Sequence, residues 1–411
     1  MKDASYRHPP TYYFYASIEG DVLICAGLSA ICKALRPGCA TVLLLPDHPR
    51  VKNKKLAALA QFDRVVPIPY VYSGMNVIRG IQECLHAKKI LHNLALDEER
   101  VCFLFDLYDV VDILVYSRMR RQQNETGPRI FRISAFDIDF GNSTNLQLAL
   151  KRTLVESFYS MLFTGKLLRE YRVPGTESAG IRRYEAQWDA TMTIMRGDSS
   201  SGIGHSSLQN LPYPPIMFID EPRRAGSMTA VLPKKKFILV LLDSLIPKNF
   251  TLDPVRFWTL AEELLAHLVR LNAGAVYVKG HPGFFDDIEE RITNKEVHFL
   301  HKELHAEDIY IQARSRIKAV FGVVSTGMIT ASWMGLPVYD CADYFGIGGE
   351  WSERSRRFLA LAQSIVRFKN LSDIDLSESS STQTIRRFSK DQSLAAWKSA
   401  LRTAGAMGAE A

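Results

Sequence analysis

The chain has 411 residues, 47% of them hydrophobic and 23% charged, and its formal net charge is +7. This length exceeds one ordinary core and predicts two domains of about 150–200 residues each, with the composition of a soluble globular protein. The longest apolar run, 237–242, is too short to cross a bilayer, and the N-terminus lacks the apolar segment of a secretory signal.

The positive charge is collected in five clusters, at 116–122, 181–185, 221–224, 233–236 and 352–357. A solvated basic face explains any single cluster. Together they favour an anionic ligand, an anionic acceptor or the inner leaflet of a membrane. No cluster combines basic and aromatic residues in a nucleic-acid-binding motif, so nucleic acid is not expected as a partner.

The six cysteines lie inside apolar segments, at no spacing typical of metal ligands. Such cysteines are typical of reduced core residues, and reduced thiols indicate a cytosolic protein. We therefore expect a cytoplasmic location, with peripheral contact to the inner membrane as a further option.

The first half of the chain alternates apolar, β-branched runs with helical patterns. Strands are predicted at 11–17, 40–45, 64–69, 101–106 and 129–138, and helices at 21–35 and 75–95. Continuous apolar strands separated by helices predict a parallel sheet that is covered on both faces. Residues 1–195 are therefore predicted to form an N-terminal Rossmann-like domain.

A stretch rich in Gly, Ser and Pro, 196–215, shows no periodicity and predicts a linker or mobile loop. The alternation then resumes, with strands at 216–220, 236–243, 275–281, 297–301, 319–325 and 336–341 and a helix at 253–272. Residues 216–370 are therefore predicted to form a second Rossmann-like domain. Residues 371–411 are predicted to be a polar connection and a terminal helix that packs back on the first domain.

The predicted fold class is thus α/β, with two Rossmann-like lobes and a cleft between them. Ligands of open α/β sheets bind beyond the carboxyl ends of the strands, so motifs at predicted strand ends carry the most weight. Three such motifs occur in the chain.

The first motif is Lys279, Gly280, His281 and Pro282, which follow a buried strand. A histidine here can hydrogen-bond a phosphate oxygen or donate a proton to it near neutral pH, and the proline stiffens the turn. The alternative is a surface turn with an exposed histidine.

The second motif is Ser325, Thr326 and Gly327, where a buried strand is followed at once by a helix. Hydroxyls and free N–H groups at a helix N-terminus form an anion site. An ordinary helix cap explains the same residues. Because the motif lies one βα unit after the first, the two turns would converge on one ligand.

The third motif is the pair Asp137 and Asp139, expected at the end of the last strand of the first lobe. Alternate residues of a strand face one side, so the two carboxylates would point together if the strand continues. The pair can be a general base facing the cleft, a metal-binding Asp-x-Asp, or solvated acids in a turn.

Residues 236–341 resemble the nucleotide-binding half of the bacterial sialyltransferase and polysialyltransferase families of GT-B fold. In those families a strand leads to a Lys-x-His-Pro motif, matched here by 279–282. A Ser/Thr-rich motif that opens a helix follows about forty residues later, matched by 325–327, and a glutamate between them corresponds to Glu307.

The resemblance implies an inverting glycosyltransferase that transfers a sialic-acid-like sugar from CMP to a glycan hydroxyl. It implies that residues 279–282, Glu307 and 325–327 bind the nucleotide, and that His281 assists departure of CMP. The families carry an acidic pair before a glycine in the first lobe. Asp139 matches the first acid, Phe140 replaces the second, and Asp137 is the reserve candidate for the base.

The resemblance also implies the partners of the reaction. The first lobe would lie on the acceptor side, and the acceptor would be an anionic glycan or glycolipid of the capsule or lipopolysaccharide type. The CMP-sugar is a co-substrate, and no metal or other cofactor is expected because protein donors can neutralise a single phosphate.

Three alternatives to this function stay open on the sequence. A transferase of the same fold can use a UDP-sugar, CMP-Kdo or a CDP-alditol. A sugar-nucleotide 2-epimerase has the same two-lobed architecture and needs no acceptor. A catalytically inactive scaffold of this fold would explain Phe140 in place of the second acid.

Overall fold

The structure is a computed structural model. It describes residues 10–16, 19–47, 61–71, 76–94, 96, 100–105, 110–120, 129–134, 158, 161–163, 165, 169–171, 181–183, 189–194, 207–211, 215–219, 232–242, 246–247, 250–271, 275–280, 288–301, 304–323, 325–348, 365–376, 390–403 and 405–407. Contacts divide the chain into two units, Met1–Phe218 with Lys390–Ala411, and Ile219–Ser389.

The first unit contains a seven-stranded parallel sheet. Its first five strands are β1 (Thr11–Tyr15), β2 (Ala40–Pro46), β3 (Arg64–Ile68), β4 (Val101–Leu104) and β5 (Arg129–Ser134). A separate antiparallel pair follows, β6 (Arg169–Tyr171) with β7 (Ile181–Arg183). The sheet is completed by β8 (Ala190–Ile194) and β9 (Ser207–Leu211), in the order β3-β2-β1-β4-β5-β8-β9.

Helices cover both faces of this sheet. They are α1 (Glu19–Leu35), α2 (Val77–Asn93) and α3 (Val110–Arg120). The α2 and α3 helices share one core with alternate strand residues such as Tyr13 and Tyr15. The intervening Phe14 points to the other face, where it stacks on Phe103 with ring centroids 5.2 Å apart. Both faces of β1 are therefore apolar, as is typical of a parallel strand.

The second unit contains a six-stranded parallel sheet. Its strands are β10 (Phe237–Leu241), β11 (Ala275–Lys279), β12 (Val297–Phe299), β13 (Ile317–Gly322), β14 (Val338–Asp340) and β15 (Ile365–Arg367). Its helices are α4 (Pro254–Leu271), α5 (Ile288–Arg291), α6 (Ala306–Ala313) and α7 (Thr326–Trp333). The α4 helix buries one stripe, including Phe257, Ala261 and Leu264, in the core of one sheet face.

The order of strands in the second sheet is β12-β11-β10-β13-β14-β15. Counted from its own first strand this is 3-2-1-4-5-6, the order of a Rossmann sheet, and the first sheet begins in the same way. The predicted α/β class with two Rossmann-like units is confirmed. In the second unit the order reverses between β10 and β13, and ligands of such sheets bind at that point of the carboxyl edge.

Two expectations about residues 196–220 are wrong. Within the stretch predicted to be a linker, Ser207–Leu211 form β9, which pairs in parallel with β8. The predicted strand at 216–220 is instead a 3₁₀ helix over Pro215–Phe218. A short apolar run does not distinguish strand from buried helix, and Pro215 has no N–H to donate to a ladder.

The C-terminal helix, α8 (Lys390–Thr403), belongs to the first unit. It contacts α1 and β9, and its Trp397 is fully buried. Just beyond it, the carbonyl of Ala406 accepts a hydrogen bond of 3.5 Å from Tyr12. The first unit is therefore built from both ends of the chain.

All six cysteines are free and buried, which confirms the expectation that they lie in the core. Burial raises the pKa of the Cys102 thiol to about 12, so this group stays protonated at neutral pH. Among the helices that the structure describes, none is long and apolar enough to cross a membrane.

Helix α1 packs against the 3₁₀ helix at Pro215, and Gly27 makes this contact possible. A methyl group added at Gly27 would overlap the Pro215 carbonyl and lie 2.7 Å from the backbone nitrogen of Ile216. We expect Gly27→Ala to destabilise the protein by about 1–3 kcal/mol or more, because backbone cannot move aside as a side chain can. Urea unfolding measures this loss.

The matched control for this prediction is Gly348→Ala. Gly348 has open space around its Cβ position and no positive φ. There, alanine should be neutral or slightly stabilising. Equal unfolding midpoints for the two variants would contradict the close packing of α1.

Candidate active site

The carboxyl edge of the second sheet ends in a row of paired residues. Lys279, Leu241, Gly322 and Asp340 are neighbours on β11, β10, β13 and β14. Lys279 is 2% exposed and Asp340 is fully buried. Buried charge therefore lies on both sides of the point where the strand order reverses.

Lys279 is the last residue of β11 and lies within the strand predicted at 275–281. Its Nζ donates a hydrogen bond to the carbonyl oxygen of Gly280. A lysine is seldom buried without interactions of this kind. Its ammonium group contributes positive charge at this edge of the sheet.

Gly280 lies between the end of β11 and the short helix α5. A Cβ at this position would approach the Ile288 Cδ1 atom to 2.8 Å, so glycine lets the turn pack against that side chain. The next two residues of the motif, His281 and Pro282, lie outside the described residues.

The predicted strand–turn–helix motif is present at the end of β13. The strand ends at Gly322, Ser325 is the N-cap, and α7 begins at Thr326. The Ser325 Oγ atom accepts a hydrogen bond of 3.2 Å from the N–H of Gly327. The cap hydroxyl thus holds the first turn of α7 in place while the helix dipole keeps its positive end at this edge.

Two glycines let α7 lie close to the sheet. A Cβ on Gly322 would be 3.1 Å from the Met328 Sδ atom, and a Cβ on Gly327 would be 3.3 Å from Leu241 Cδ1. Both distances are tighter than ordinary van der Waals contact. The absence of side chains at these positions therefore sets the N-terminus of α7 directly over the ends of β10 and β13.

The N-terminus of α6 lies beside that of α7. A Cβ on Gly327 would be 3.5 Å from the Cβ of Ala306, the first residue of α6. The two helices thus start next to each other at the carboxyl edge of the sheet. Their dipoles place partial positive charge at the same spot, which favours an anion.

Acidic groups occupy the first turn of α6. Glu307 is half-buried, and Asp308 is 2% exposed. Burial first, and then the charge of Glu307, raises the pKa of Tyr310 well above its ordinary value. Glu307 therefore lies close enough to Tyr310 for its charge to act on the tyrosine hydroxyl.

Two features of this edge were not predicted from the sequence. Ala306 was not identified, although a small residue beside a glycine is the signal of closely packed helix ends. Asp308 was also passed over, and its burial could not be inferred from an acid in a first turn, which is common at helix starts. The structure thus brings together Lys279, Gly280 and Gly327 with residues that no motif indicated.

The acidic pair of the first unit was expected at the end of the last strand of its sheet. That expectation is wrong in one respect: β5 is not the last strand of the sheet, because β8 and β9 continue the sheet beyond it. Asp137 and Asp139 themselves lie outside the described residues.

Across the ranges described above, no group of three or more His, Cys, Asp or Glu side chains could hold a metal ion. The chemistry that these ranges offer at the second sheet is anion binding, by one buried ammonium group and two adjacent helix N-termini.

Several solved structures are similar to the whole chain. A crystal structure of UDP-N-acetylglucosamine 2-epimerase has a TM-score of 0.52 at 10% identity, with 98% of each chain covered. A UDP-GlcNAc 2-epimerase from Methanocaldococcus jannaschii has a TM-score of 0.49 at 11% identity, covering 96% of this chain and 99% of the other. The E. coli ADP-heptose heptosyltransferase II has a TM-score of 0.43 at 12% identity, covering 96% and 99%.

The first of these likenesses shows a shared fold of two Rossmann-like units. A search of curated proteins found no match. Residues 219–334 match the model of a family described as alpha-2,8-polysialyltransferase (POLYST). The matched segment contains β10 to β13, α6 and α7, and so includes Lys279 and both helix N-termini, whereas Asp340 lies beyond it. This match confirms the resemblance indicated by the motifs and supports a glycosyltransferase.

Proposed function

We propose that the chain is an inverting glycosyltransferase that transfers a sialic-acid-like nonulosonic acid from CMP to a glycan hydroxyl. The observation that carries the proposal is the convergence of the α6 and α7 N-termini at the switch point of the second sheet. This convergence lies within the segment that matches the polysialyltransferase family.

The CMP phosphate would be bound by the first turn of α7. The N–H of Thr326 and the helix dipole face the anion, while the N–H of Gly327 is taken by the Ser325 hydroxyl. Lys279 adds positive charge from β11. These groups would stabilise the charge that develops on the phosphate as its bond to the sugar breaks.

The nucleoside would lie beside α6. Glu307 is half-buried in the first turn, and its carboxylate can accept hydrogen bonds from ribose hydroxyls. Gly280 and Pro282 would shape the turn that presents His281 to the phosphate. In this arrangement the phosphate would lie at α7 and the ribose hydroxyls at α6.

In the proposed reaction, the acceptor hydroxyl oxygen attacks the anomeric carbon while the bond from that carbon to the phosphate oxygen breaks. Asp139, with Asp137 as the reserve candidate, takes the hydroxyl proton. His281 hydrogen-bonds or protonates the departing phosphate. Attack from the face opposite the leaving group inverts the anomeric centre.

The partners of the proposed reaction are a sugar donor and an acceptor. A nucleotide-sugar donor and a glycan acceptor are the partners expected of a glycosyltransferase. The excess of basic residues suits an anionic glycan or glycolipid of the capsule or lipopolysaccharide type. We propose that no metal or other cofactor takes part, and that the protein works in the cytoplasm, in peripheral contact with the inner membrane.

Thermal unfolding with CMP, CDP and UDP tests the choice of donor. At about 100 times its Kd, CMP should stabilise the protein by about 2.7 kcal/mol, which raises the Tm by roughly 5–10 °C for a unit of this size. Stabilisation by UDP without stabilisation by CMP would instead indicate a UDP-sugar. No shift with any nucleotide would refute the nucleotide site.

A pair of glycine variants locates the bound CMP. Gly327→Ala should lower the CMP-induced shift, because the added methyl group pushes against Leu241 and Ala306 at the helix N-termini. Gly348→Ala, which has open space around it, should leave the shift unchanged. An equal shift in both variants would place CMP elsewhere.

A further inference from the structure

Helix α2 of the first unit carries large apolar side chains on the face that points away from the core. Its buried residues, including Cys84, Ala87 and Leu91, form one stripe. Ile78 is 68% exposed and Leu85 is 54% exposed. These two residues are seven positions apart, which places them on one line of the helix, opposite the buried stripe.

Basic residues flank this apolar line. Arg79, Lys88 and Lys89 are exposed, and the side chain of Arg79 is 70% exposed. Lys89 follows Leu85 by four residues and so lies on the same line. The helix has one acid, Glu83, which lies 3.8 Å from Arg79 and is the less exposed of the two.

A second apolar segment lies on the same side of the sheet. Phe158, Met161 and Leu162 are each at least half exposed. Their neighbour Phe163 packs against the same core cluster as Ile81 of α2. Single exposed apolar residues are common on protein surfaces. Five large ones on one side of a sheet, bordered by cations, are more than such scattered residues would give.

We propose that the outer face of α2, together with Phe158, Met161 and Leu162, is a docking surface for a lipid bilayer that carries anionic headgroups. The apolar side chains would enter the boundary between headgroups and acyl chains, and the cations would contact the lipid phosphates. A large apolar line edged by Lys and Arg has the chemistry of an interfacial helix. This surface belongs to the first unit, so the inference rests on the proposed contact with the membrane and not on the nucleotide site.

Vesicle sedimentation of the full chain tests the proposal. The protein should sediment with phosphatidylcholine vesicles that contain phosphatidylglycerol, and much less with phosphatidylcholine alone. Raising the salt concentration should weaken the binding, because the attraction of exposed charges is screened. Equal binding to both kinds of vesicle, or no binding to either, would overturn the proposal.

Variants separate the apolar from the electrostatic contribution. Ile78→Ser and Leu85→Ser should each lower partitioning about tenfold, and K88E/K89E should lower it by about tenfold or more, since each cation near an anionic surface contributes about fivefold. Val255→Ser on α4 is the control, because Val255 is 76% exposed in the other unit. If the Val255 variant loses binding equally, or the α2 variants lose none, the surface is wrongly placed.

Light scattering tests whether a second copy of the chain, and not a lipid bilayer, covers this apolar surface. A wild-type dimer that Leu85→Ser converts to a monomer would overturn the lipid proposal in favour of self-association. A wild-type monomer with unchanged unfolding in all four variants supports it, since the loss of sedimentation then reports the surface alone.

Discussion

Replacement of His281 by alanine is expected to lower the rate of sugar transfer by a factor of about 10²–10⁴, the usual contribution of a general acid or base. In the proposed reaction this histidine stabilises the departing CMP phosphate. The variant should keep most of its CMP-induced thermal shift, because Lys279 and the first turn of α7 remain. The measurements are kcat for transfer to a glycan acceptor and the shift with CMP.

The control for this variant is His298→Ala. His298 is an exposed residue of β12 in the same unit, with its ring centroid 5.0 Å from that of Tyr277. Its removal should leave transfer nearly unchanged. Unfolding of the His281 variant would indicate a histidine that serves packing, and unaltered turnover would remove it from the mechanism.

Replacement of Arg367 by alanine is expected to destabilise the second unit by about 3–5 kcal/mol, because it leaves a buried carboxylate without its cation. The Arg367 Nε atom lies 2.7 Å from Asp340 Oδ2, and the Asp340 side chain is fully buried. The other carboxylate oxygen accepts a hydrogen bond of 3.1 Å from the N–H of Ala342. Urea unfolding at neutral pH measures the loss.

The loss of stability in the Arg367→Ala variant should become smaller as the pH falls. Burial raises the pKa of Asp340 above its value in the unfolded chain, against the lowering effect of Arg367. The folded state therefore takes up a proton first on acidification and gains stability relative to the unfolded state. Without Arg367 the pKa rises further, so the recovery begins at a higher pH.

Two variants serve as controls for the Arg367 prediction. The D340N/R367A double variant should be more stable than Arg367→Ala, since it leaves no unpaired carboxylate at position 340. Arg79→Ala breaks an exposed ion pair of 3.8 Å and should cost less than about 1 kcal/mol. A loss at Arg367 no larger than that at Arg79 would show that the buried pair is unimportant.

The His281 and Arg367 predictions concern the same edge of the second sheet. Lys279 and Asp340 belong to the same row across the strands, and Arg367 is paired with Asp340 on the next strand. The stability prediction addresses the ion pair at one end of this row. The kinetic prediction addresses the motif that follows Lys279 at the other end.

The lipid surface and the nucleotide site are carried by different units and fail independently. Loss of vesicle binding in the Leu85 variant would leave the CMP shift intact. Loss of the CMP shift in Gly327→Ala would leave vesicle binding intact. If both proposals hold, the first unit contacts the membrane and the second binds the donor.

Much of the fold was predictable from local sequence. The runs at 237–242 and 275–278 are apolar over their whole length, which is the pattern of strands buried on both faces. The α4 helix repeats its apolar residues at helical spacing over 254–271. Such patterns depend only on neighbours in the chain, so they correctly indicated two Rossmann-like units and the turn before α7.

The wrong secondary-structure predictions lie where the local sequence pattern is weak. Residues 207–211 include three polar residues and were predicted to be a linker, yet they add a strand to the edge of the first sheet, where one neighbouring strand suffices. Residues 215–218 are apolar because they pack on α1, and no periodicity in so short a run distinguishes the two conformations.

The sequence by itself determined the fold class, the positions of the Lys-Gly-His-Pro and Ser-Thr-Gly motifs at strand ends, and the resemblance to polysialyltransferases. Only the tertiary structure decided that Lys279 is buried in its strand and that Ala306 meets Gly327, so that two helix N-termini converge. Periodicity reports which face of an element is apolar. Which elements become neighbours depends on contacts between residues far apart in the chain, and these arise only when the sheet is assembled.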